Sequence, residues 1–290
     1  AAGLIKKHEK TRLDKENDRC RHILTLRAHT GLVFLAYRDE AAVDALIKAA
    51  QEQAPFCDFT AEDGVCHTVW RAPATPALHR AFERVPCTYI ADGHHRAAAA
   101  ARAASQLGPE GGPAAASARF PAVLFPASHL RILPYNRCVA DLNGLSEAQF
   151  LAALRKRFEV AEGVGPVPPG PGCACLLLGG AWYQLNWPPA PAGSDPVAAL
   201  DGSVLQQQVL APLLGIADPR TDMRISFVGG IRGIEELERR VESGQAAAAF
   251  SMAPVTIAQL MAVADAGQCL PPKSTWFEPK LRDGLLVHTF

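Results

Sequence analysis

The sequence has no excess charge of either sign: 29 Lys and Arg balance 29 Asp and Glu over 290 residues. That balance provides no overall attraction for nucleic acid, so a nucleic-acid partner is not expected. Long hydrophobic runs are also missing. The longest strongly apolar stretch, near Cys173–Trp182, falls far short of the roughly 20 residues that cross a bilayer, so no membrane partner is expected. Lys6, Lys7, His8, Glu9 and Lys10 crowd the start and leave no secretory leader visible. The first residue is Ala, not Met, which points to a fragment or a processed form. The eight cysteines, Cys20, Cys57, Cys66, Cys87, Cys138, Cys173, Cys175 and Cys269, include no Cys-x-x-Cys pair. A thiolate zinc site is therefore not expected, and reduced, mostly buried thiols in the cytoplasm are. No repeat and no low-complexity tail is present. The P-loop signature Gly-x-x-x-x-Gly-Lys-Ser/Thr is absent, and so is the Gly-x-Ser-x-Gly elbow of α/β-hydrolases.

What is present builds a globular core, since 49% of residues are hydrophobic and only 20% charged. The length suits one large domain or two ordinary ones. Strand-like and helix-like stretches alternate. Strands are expected at 31–37, 65–71, 87–91, 120–125, 224–228, 246–251 and 285–288, within the apolar run at 173–182, and as an extended stretch at 130–139. Helices are expected at 11–22, 40–53, 75–84, 94–106, 146–158, 200–214, 233–243 and 256–266, with Ser146 as an N-cap. Gly108–Pro113 breaks the fourth helix, and 163–172 and 188–196 read as loops. The pattern predicts a mixed α/β fold with a lobe boundary near 140, giving lobes 1–140 and 141–290.

The sharpest motif is Tyr89-Ile90-Ala91-Asp92-Gly93-His94-His95-Arg96. A buried strand ends in Asp-Gly, and a helix then opens on two His and an Arg. Cations at a helix N-terminus oppose the helix dipole, and a bound phosphate relieves that cost. Free backbone N–H groups, the imidazoles of His94 and His95, and the Arg96 guanidinium would all serve it. Gly93 permits a tight turn and a close approach of backbone to ligand. Asp92 suits a Mg²⁺ ion or the orientation of a reacting hydroxyl. The bland alternative is a turn whose His and Arg cap neighbouring carbonyls.

A second charged run, Lys6–Thr11 followed by Lys15-Glu16-Asn17-Asp18-Arg19, reads by composition as a solvated helix face. A third segment, Pro271-Pro272-Lys273-Ser274-Thr275-Trp276-Phe277-Glu278-Pro279-Lys280, is expected to be held extended by its prolines. Lys273, Lys280, Ser274 and Thr275 suit an anionic ligand, and Trp276 or Phe277 suits a base; a plain strand connection with aromatic anchors is the alternative. In the stretch His129–Arg137, Arg137 follows a buried run and suits a phosphate or carboxylate, or else a surface acid.

At these residues the chain resembles the domain-of-unknown-function 1015 family. The matching motifs are Lys7-His8-Glu9-Lys10-Thr11 with Lys15–Arg19, Tyr89–Arg96, and Pro271–Lys280. Family members usually carry a further segment before the Lys-His-Glu motif, so the chain is expected to lack part of the family fold. A Thr-His-Arg commonly stands where Tyr135-Asn136-Arg137 stands here, leaving Arg137 as the matching residue. Asp92-Gly93-His94-His95-Arg96 is also similar to the motif of free-serine kinases built on the ParB/sulfiredoxin-like fold, which carry an upstream His-Glu comparable in order to His8-Glu9.

The resemblance implies a ParB/sulfiredoxin-like nucleotide-binding core with a second α/β lobe. It implies that Gly93–Arg96 cradle nucleotide phosphates, that Glu9 is the general base, and that Asp92 is a catalytic or metal-linked carboxylate. The activity it implies is phosphoryl transfer from ATP or ADP, with Mg²⁺, to a small hydroxylated metabolite such as a free amino acid, with His8 and Arg137 as substrate-binding candidates. The alternative is a nucleotide-binding or hydrolysing regulatory module without a small-molecule acceptor. A metallohydrolase built on His94, His95, Asp92 and Glu9 ranks last, because adjacent side chains on a helix point about 100° apart.

Overall fold

The computed structural model of the chain describes residues 3–108, 115–278 and 280–290. Its fold is mixed α/β. A first sheet holds β1 (Ile5–Lys6), β3 (Val33–Tyr37), β6 (Thr88–Asp92) and β7 (Ala122–Pro126), in the order β1-β6-β3-β7. β6 runs parallel to β1 and antiparallel to β3, and β3 runs parallel to β7. Every residue of β3 is buried, because both faces of the sheet are covered. Phe34 and Ala36 pack with α8 (Ile257–Asp265), while Val33 and Leu35 pack with Ile90 and Ala97 on the other side.

Two helices close that other side. α1 (Leu13–Leu26) lies against α4 (His94–Leu107), with Cys20 and Ile23 seated on Ala99 and Ala103. The alanine run supplies helix propensity and also lets the two backbones approach. Arg102 of α4 donates to Glu16 and Asn17 of α1, so part of the charged run at 15–19 fastens one helix to the other. α2 (Ala41–Gln51) and α3 (Pro76–Glu83) flank a hairpin of β4 (Cys57–Thr60) and β5 (Cys66–Val69). The chain end returns to this region, where β16 (His288–Thr289) pairs with β2 (Ala28–His29).

A second sheet has six strands, all neighbours antiparallel: β10 (Glu159–Glu162), β12 (Ala181–Asn186), β11 (Cys173–Leu178), β14 (Ala248–Met252), β9 (Tyr135–Val139) and β13 (Ile225–Gly229). One face carries α5 (Glu147–Arg155) and α6 (Asp201–Leu205), burying Phe150, Leu154, Leu176, Leu205 and Phe250. The other carries α7 (Glu235–Glu242), with Leu237 on Leu177 and Ala249. Each such large apolar side chain contributes about 1.5–3 kcal/mol.

Several local expectations change in the fold. The apolar run at 173–182 is not one strand but parts of two, because Gly179 and Gly180 both take positive φ and turn the chain into a hairpin. The stretch 130–139 is split at Pro134 into β8 (Arg131–Leu133), which pairs with β15 (Trp276–Glu278), and β9, which joins the second sheet. The helix expected at 200–214 is α6 followed by a π-helical turn over Gln206–Leu210. Ser146 caps α5 in a capping box with Gln149. The break expected at Gly108–Pro113 lies, beyond Gly108, outside the described residues.

Candidate active site

The turn from β6 into α4 is built by a bulge and a glycine. Phe34 pairs with Asp92 and Leu35 with Ile90, so Ala91 is left without a partner just before Asp92. Such bulges re-aim the residues that follow. Gly93 then takes φ 95° and ψ 28°, the left-handed region that favours glycine. A Cβ added there would lie 2.9 Å from Arg96 Nε, so the side chain of Arg96 folds directly over the turn. Gly31 has the same relation to Arg96, with a Cβ at 3.2 Å from Cδ. The backbone N–H groups of His94, His95 and Arg96 find no acceptor among the described residues, as the first turn of a helix requires. Arg96 Nε is buried without a hydrogen-bond partner.

The turn borders two hollows. Arg96 lines a cavity of about 660 Å³ with Asp18, Arg19, His29, Thr30 and Asp283. Asp92 lines a cleft of about 260 Å³ with His8, Glu9, Tyr135, Lys273 and Lys280. Motifs from both ends of the sequence thus meet: Lys280 Nζ stands 3.4 Å from Asp92 Oδ2 and 5.1 Å from the Trp276 ring. Ser274 and Thr275 also line this cleft.

The 271–280 segment is not extended throughout. Lys273 has φ 55°, and Ser274 Oγ donates to Pro271 O at 2.7 Å, making a turn. Only Trp276–Glu278 is strand, and Pro279 lies outside the described residues. A lysine held at positive φ is strained backbone of a kind that clusters at functional sites. Its Nζ lies 5.5 Å from the Tyr135 ring centroid.

The two imidazoles both meet backbone N–H groups of the N-terminal segment. His94 Nε2 accepts the backbone N–H of His8 at 3.4 Å, and His95 Nε2 accepts that of Arg12 at 3.0 Å. A ring nitrogen that accepts is unprotonated. Burial pushes His94 down to about 4 and His8 to about 3, with the neighbouring imidazole adding to the His8 shift. Both are neutral at pH 7. The expectation that His94 brings positive charge to the head of α4 is therefore corrected: His94 is neutral, and together with the His95 contact to Arg12 N–H it fastens the segment that bears Glu9 onto α4. With Nε2 accepting, the His94 proton sits on Nδ1, 3.8 Å from Glu9 Oε2. That is too long for a hydrogen bond, and the exposed Glu9 carboxylate stays free to meet a ligand. Because the two Nε2 atoms serve different backbone groups, His94 and His95 do not converge on one metal.

Arg137 is buried and meets no surface acid among the described residues. Its Nη1 donates to Tyr135 O at 3.0 Å, and its guanidinium lies 5.7 Å from the Phe227 ring. The residues that sequence reasoning passed over are Tyr135, whose ring walls the cleft, and Thr30, Gly31 and Asp283, which surround Arg96. Gly31 at the entry to a strand was the one available signal.

Comparison with known proteins adds the following. A family model described as protein of unknown function (DUF1015) matches residues 1–203. No curated protein matches the sequence. Among solved structures, the chain is similar to a free serine kinase in complex with AMP, at 12% identity and a TM-score of 0.43, covering 95% of this chain and 84% of that one. A mutant free serine kinase in complex with ADP is similar at 13% identity and 0.43, with 95% and 84% covered. SbnI with a C-terminal truncation, from Staphylococcus aureus, is similar at 12% identity and 0.48, with 97% and 82% covered.

Proposed function

The chain belongs to the DUF1015 family, described as proteins of unknown function, and from that premise we propose that it is a nucleotide-dependent phosphotransferase acting on a small hydroxylated metabolite. The observation that carries the reading is the head of α4. Three backbone N–H groups without acceptors, a left-handed glycine and a buried, unpartnered Arg96 Nε stand together between two hollows. A phosphate chain is the ligand that satisfies all of them at once. The larger cavity has room for a nucleoside beside Arg96, and the cleft with Glu9 and Asp92 has room for a small acceptor.

In this reading Glu9 takes the proton of the acceptor hydroxyl, whose oxygen bonds to the terminal phosphorus of ATP or ADP while the bond to the nucleotide's bridging oxygen breaks. Lys280, Lys273 and the α4 N-terminus face the charge that develops on the transferred group. Among the described residues no group of three or more His, Cys, Asp or Glu forms a cage for a metal ion. Mg²⁺ usually binds through one or two carboxylates plus substrate phosphates, and Asp92 fits that part. When bound, Mg²⁺ supplies charge neutralisation on the phosphoryl oxygens.

The test is incubation with ATP or ADP, Mg²⁺ and a panel of amino acids and other small hydroxylated metabolites, with mass detection of a phosphorylated product. Glu9→Gln is expected to lower kcat about 10²–10⁴-fold and to leave nucleotide affinity, read by direct titration, unchanged. Failure to bind either nucleotide would refute the reading. Turnover that ignores every acceptor would replace it with a nucleotide-hydrolysing module.

A further inference from the structure

Tyr135 and Trp276 are brought together by a change of ladder at Pro134. The residues before it, in β8, pair with β15, which sets Leu133 opposite Trp276. The residues after it, in β9, pair with β13, which sets Tyr135 opposite Gly229. The two rings meet at this crossing edge to face, with centroids 5.7 Å apart and planes at 61°, an arrangement that ring quadrupoles favour. Gly229 leaves room for the indole, since a Cβ there would lie 2.7 Å from the Trp276 ring. Trp276 Nε1 donates to Glu278 Oε1 at 2.6 Å and fixes the indole's rotation.

Each ring carries one ammonium group. Lys273 Nζ lies 5.5 Å from the Tyr135 centroid, and Lys280 Nζ lies 5.1 Å from that of Trp276. Both are within the ~6 Å reach of a cation–π contact. Both lysines line the cleft with Asp92, which stands 3.4 Å from Lys280 Nζ. Two ammonium groups at one cleft repel each other, and seating each over the negative face of a ring offsets part of that cost. The positive φ of Lys273 fits the same arrangement: the 271–274 turn bears backbone strain and delivers its ammonium to Tyr135. The face of Trp276 that Lys280 covers is closed to a base.

We infer that Tyr135 and Trp276 are positioning residues: they form one aromatic platform that holds Lys273 and Lys280 at a preset spacing for a single multiply charged anion in the Asp92 cleft. A free lysine loses rotamer freedom when it grips an anion, whereas a seated one has lost it beforehand. Cations fixed in advance act most strongly on a group whose charge shifts during reaction. Two seated ammonium groups match an anion with two separated negative centres, as in a polyphosphate chain. That this anion is the transferring phosphoryl chain rests on the phosphotransferase reading; the platform itself rests on the two rings, the two ammonium groups and Gly229.

The experiment has two arms on the full chain. In the first, each lysine's rate of acetylation by a small amine-reactive reagent is read by peptide mass spectrometry. Tyr135→Leu is expected to speed the labelling of Lys273, and Trp276→Leu that of Lys280, by about threefold or more. Tyr135→Phe and Trp276→Phe, which keep a ring, are expected to stay within about twofold of wild type. In the second arm, inorganic tripolyphosphate and ATP are titrated. The Leu variants are expected to bind each about threefold to thirtyfold more weakly, and the Phe variants to stay close to wild type. Gly229→Ala, which changes neither lysine nor ring, is expected to weaken binding as Trp276→Leu does. Should a Leu variant fail to fold, fluorinated tryptophans replace it, since they drain charge from the ring face with little change of shape. Tripolyphosphate affinity is then expected to fall as fluorines are added to the wild type and to hold in Trp276→Phe.

Unchanged labelling of both lysines in the Leu variants would overturn the platform, as would a tripolyphosphate affinity indifferent to ring loss and to fluorination. Nucleotide turnover in that case would leave the phosphotransferase reading standing. A wild-type protein that binds no tripolyphosphate would also overturn the platform, whatever the labelling. Ring-dependent labelling and ring-dependent tripolyphosphate binding, together with no turnover of any nucleotide, would overturn the phosphotransferase reading and leave the platform standing.

Discussion

His8 and His94 meet edge to face with ring centroids 4.5 Å apart, and both are almost wholly enclosed. Each is held neutral chiefly by burial. The unfolded chain takes up these protons near pH 6.5, whereas the native protein resists until about 4 for His94 and about 3 for His8. Between those limits the unfolded state binds more protons, so stability falls as pH drops below 6.5. The slope is about 1.4 kcal/mol per pH unit for each histidine. Chemical denaturation at pH 7, 6 and 5 is expected to show this loss, and His8→Leu, which keeps an apolar neighbour for Phe277, is expected to flatten it by about half. A stability that does not change between pH 7 and 5 would contradict the neutral, buried pair.

The β6–α4 turn is the element on which the site depends. Its strand half is fixed by pairing on both edges, with β1 and β3. Its helix half is fixed by the alanine face that receives α1. Between them the bulge at Ala91 and the left-handed Gly93 absorb the change of direction. Gly93→Ala would place a side chain at positive φ, at a cost of about 1–2 kcal/mol, and would push Arg96 off the turn. A lowered Tm and an ATP or ADP affinity reduced about tenfold or more are expected, the first read by thermal melting and the second by direct titration. Unchanged nucleotide affinity in a folded Gly93→Ala protein would show that the head of α4 holds no phosphate.

At the scale of the whole molecule, α8 ties the late part of the chain to the first sheet. Leu260, Met261, Val263 and Ala264 pack on Phe34, Ala36, Tyr89 and Ala91. At its end Asp265 accepts from Lys6, Arg38 and the Tyr89 hydroxyl, joining β1, the end of β3 and β6. Those contacts hold Asp265 below the usual carboxylate range against the opposing effect of its partial burial. Asp265→Asn is expected to cost about 1–2 kcal/mol by chemical denaturation, since two cations and a hydroxyl lose a charged acceptor. A change within about 0.5 kcal/mol would mark the cluster as a screened surface arrangement. The same seam carries the 271–280 segment to the cleft, because β15 leaves α8 and pairs with β8.

Local chemistry determined much of this protein before any folding. The Asp-Gly turn, the alanine helix, the capping serine of α5 and the alternation of strands and helices are properties of a few adjacent residues, and they stand in the sequence as they stand in the fold. Glu9, Asp92, Lys273 and Lys280 were legible as candidates because reactive residue types gathered in short motifs. Their meeting in one cleft was not legible, since it depends on β1 pairing with β6 and on β15 pairing with β8 across more than 80 and 140 residues. The charge state of His94 was hidden for a related reason. Proximity to a helix N-terminus can be read from spacing, but desolvation by a distant histidine and a distant backbone N–H cannot. Arg137 shows the same division: its position after an apolar run marked it, and only packing against Gly202, Ser203 and Phe227 decided that it is enclosed and unpaired.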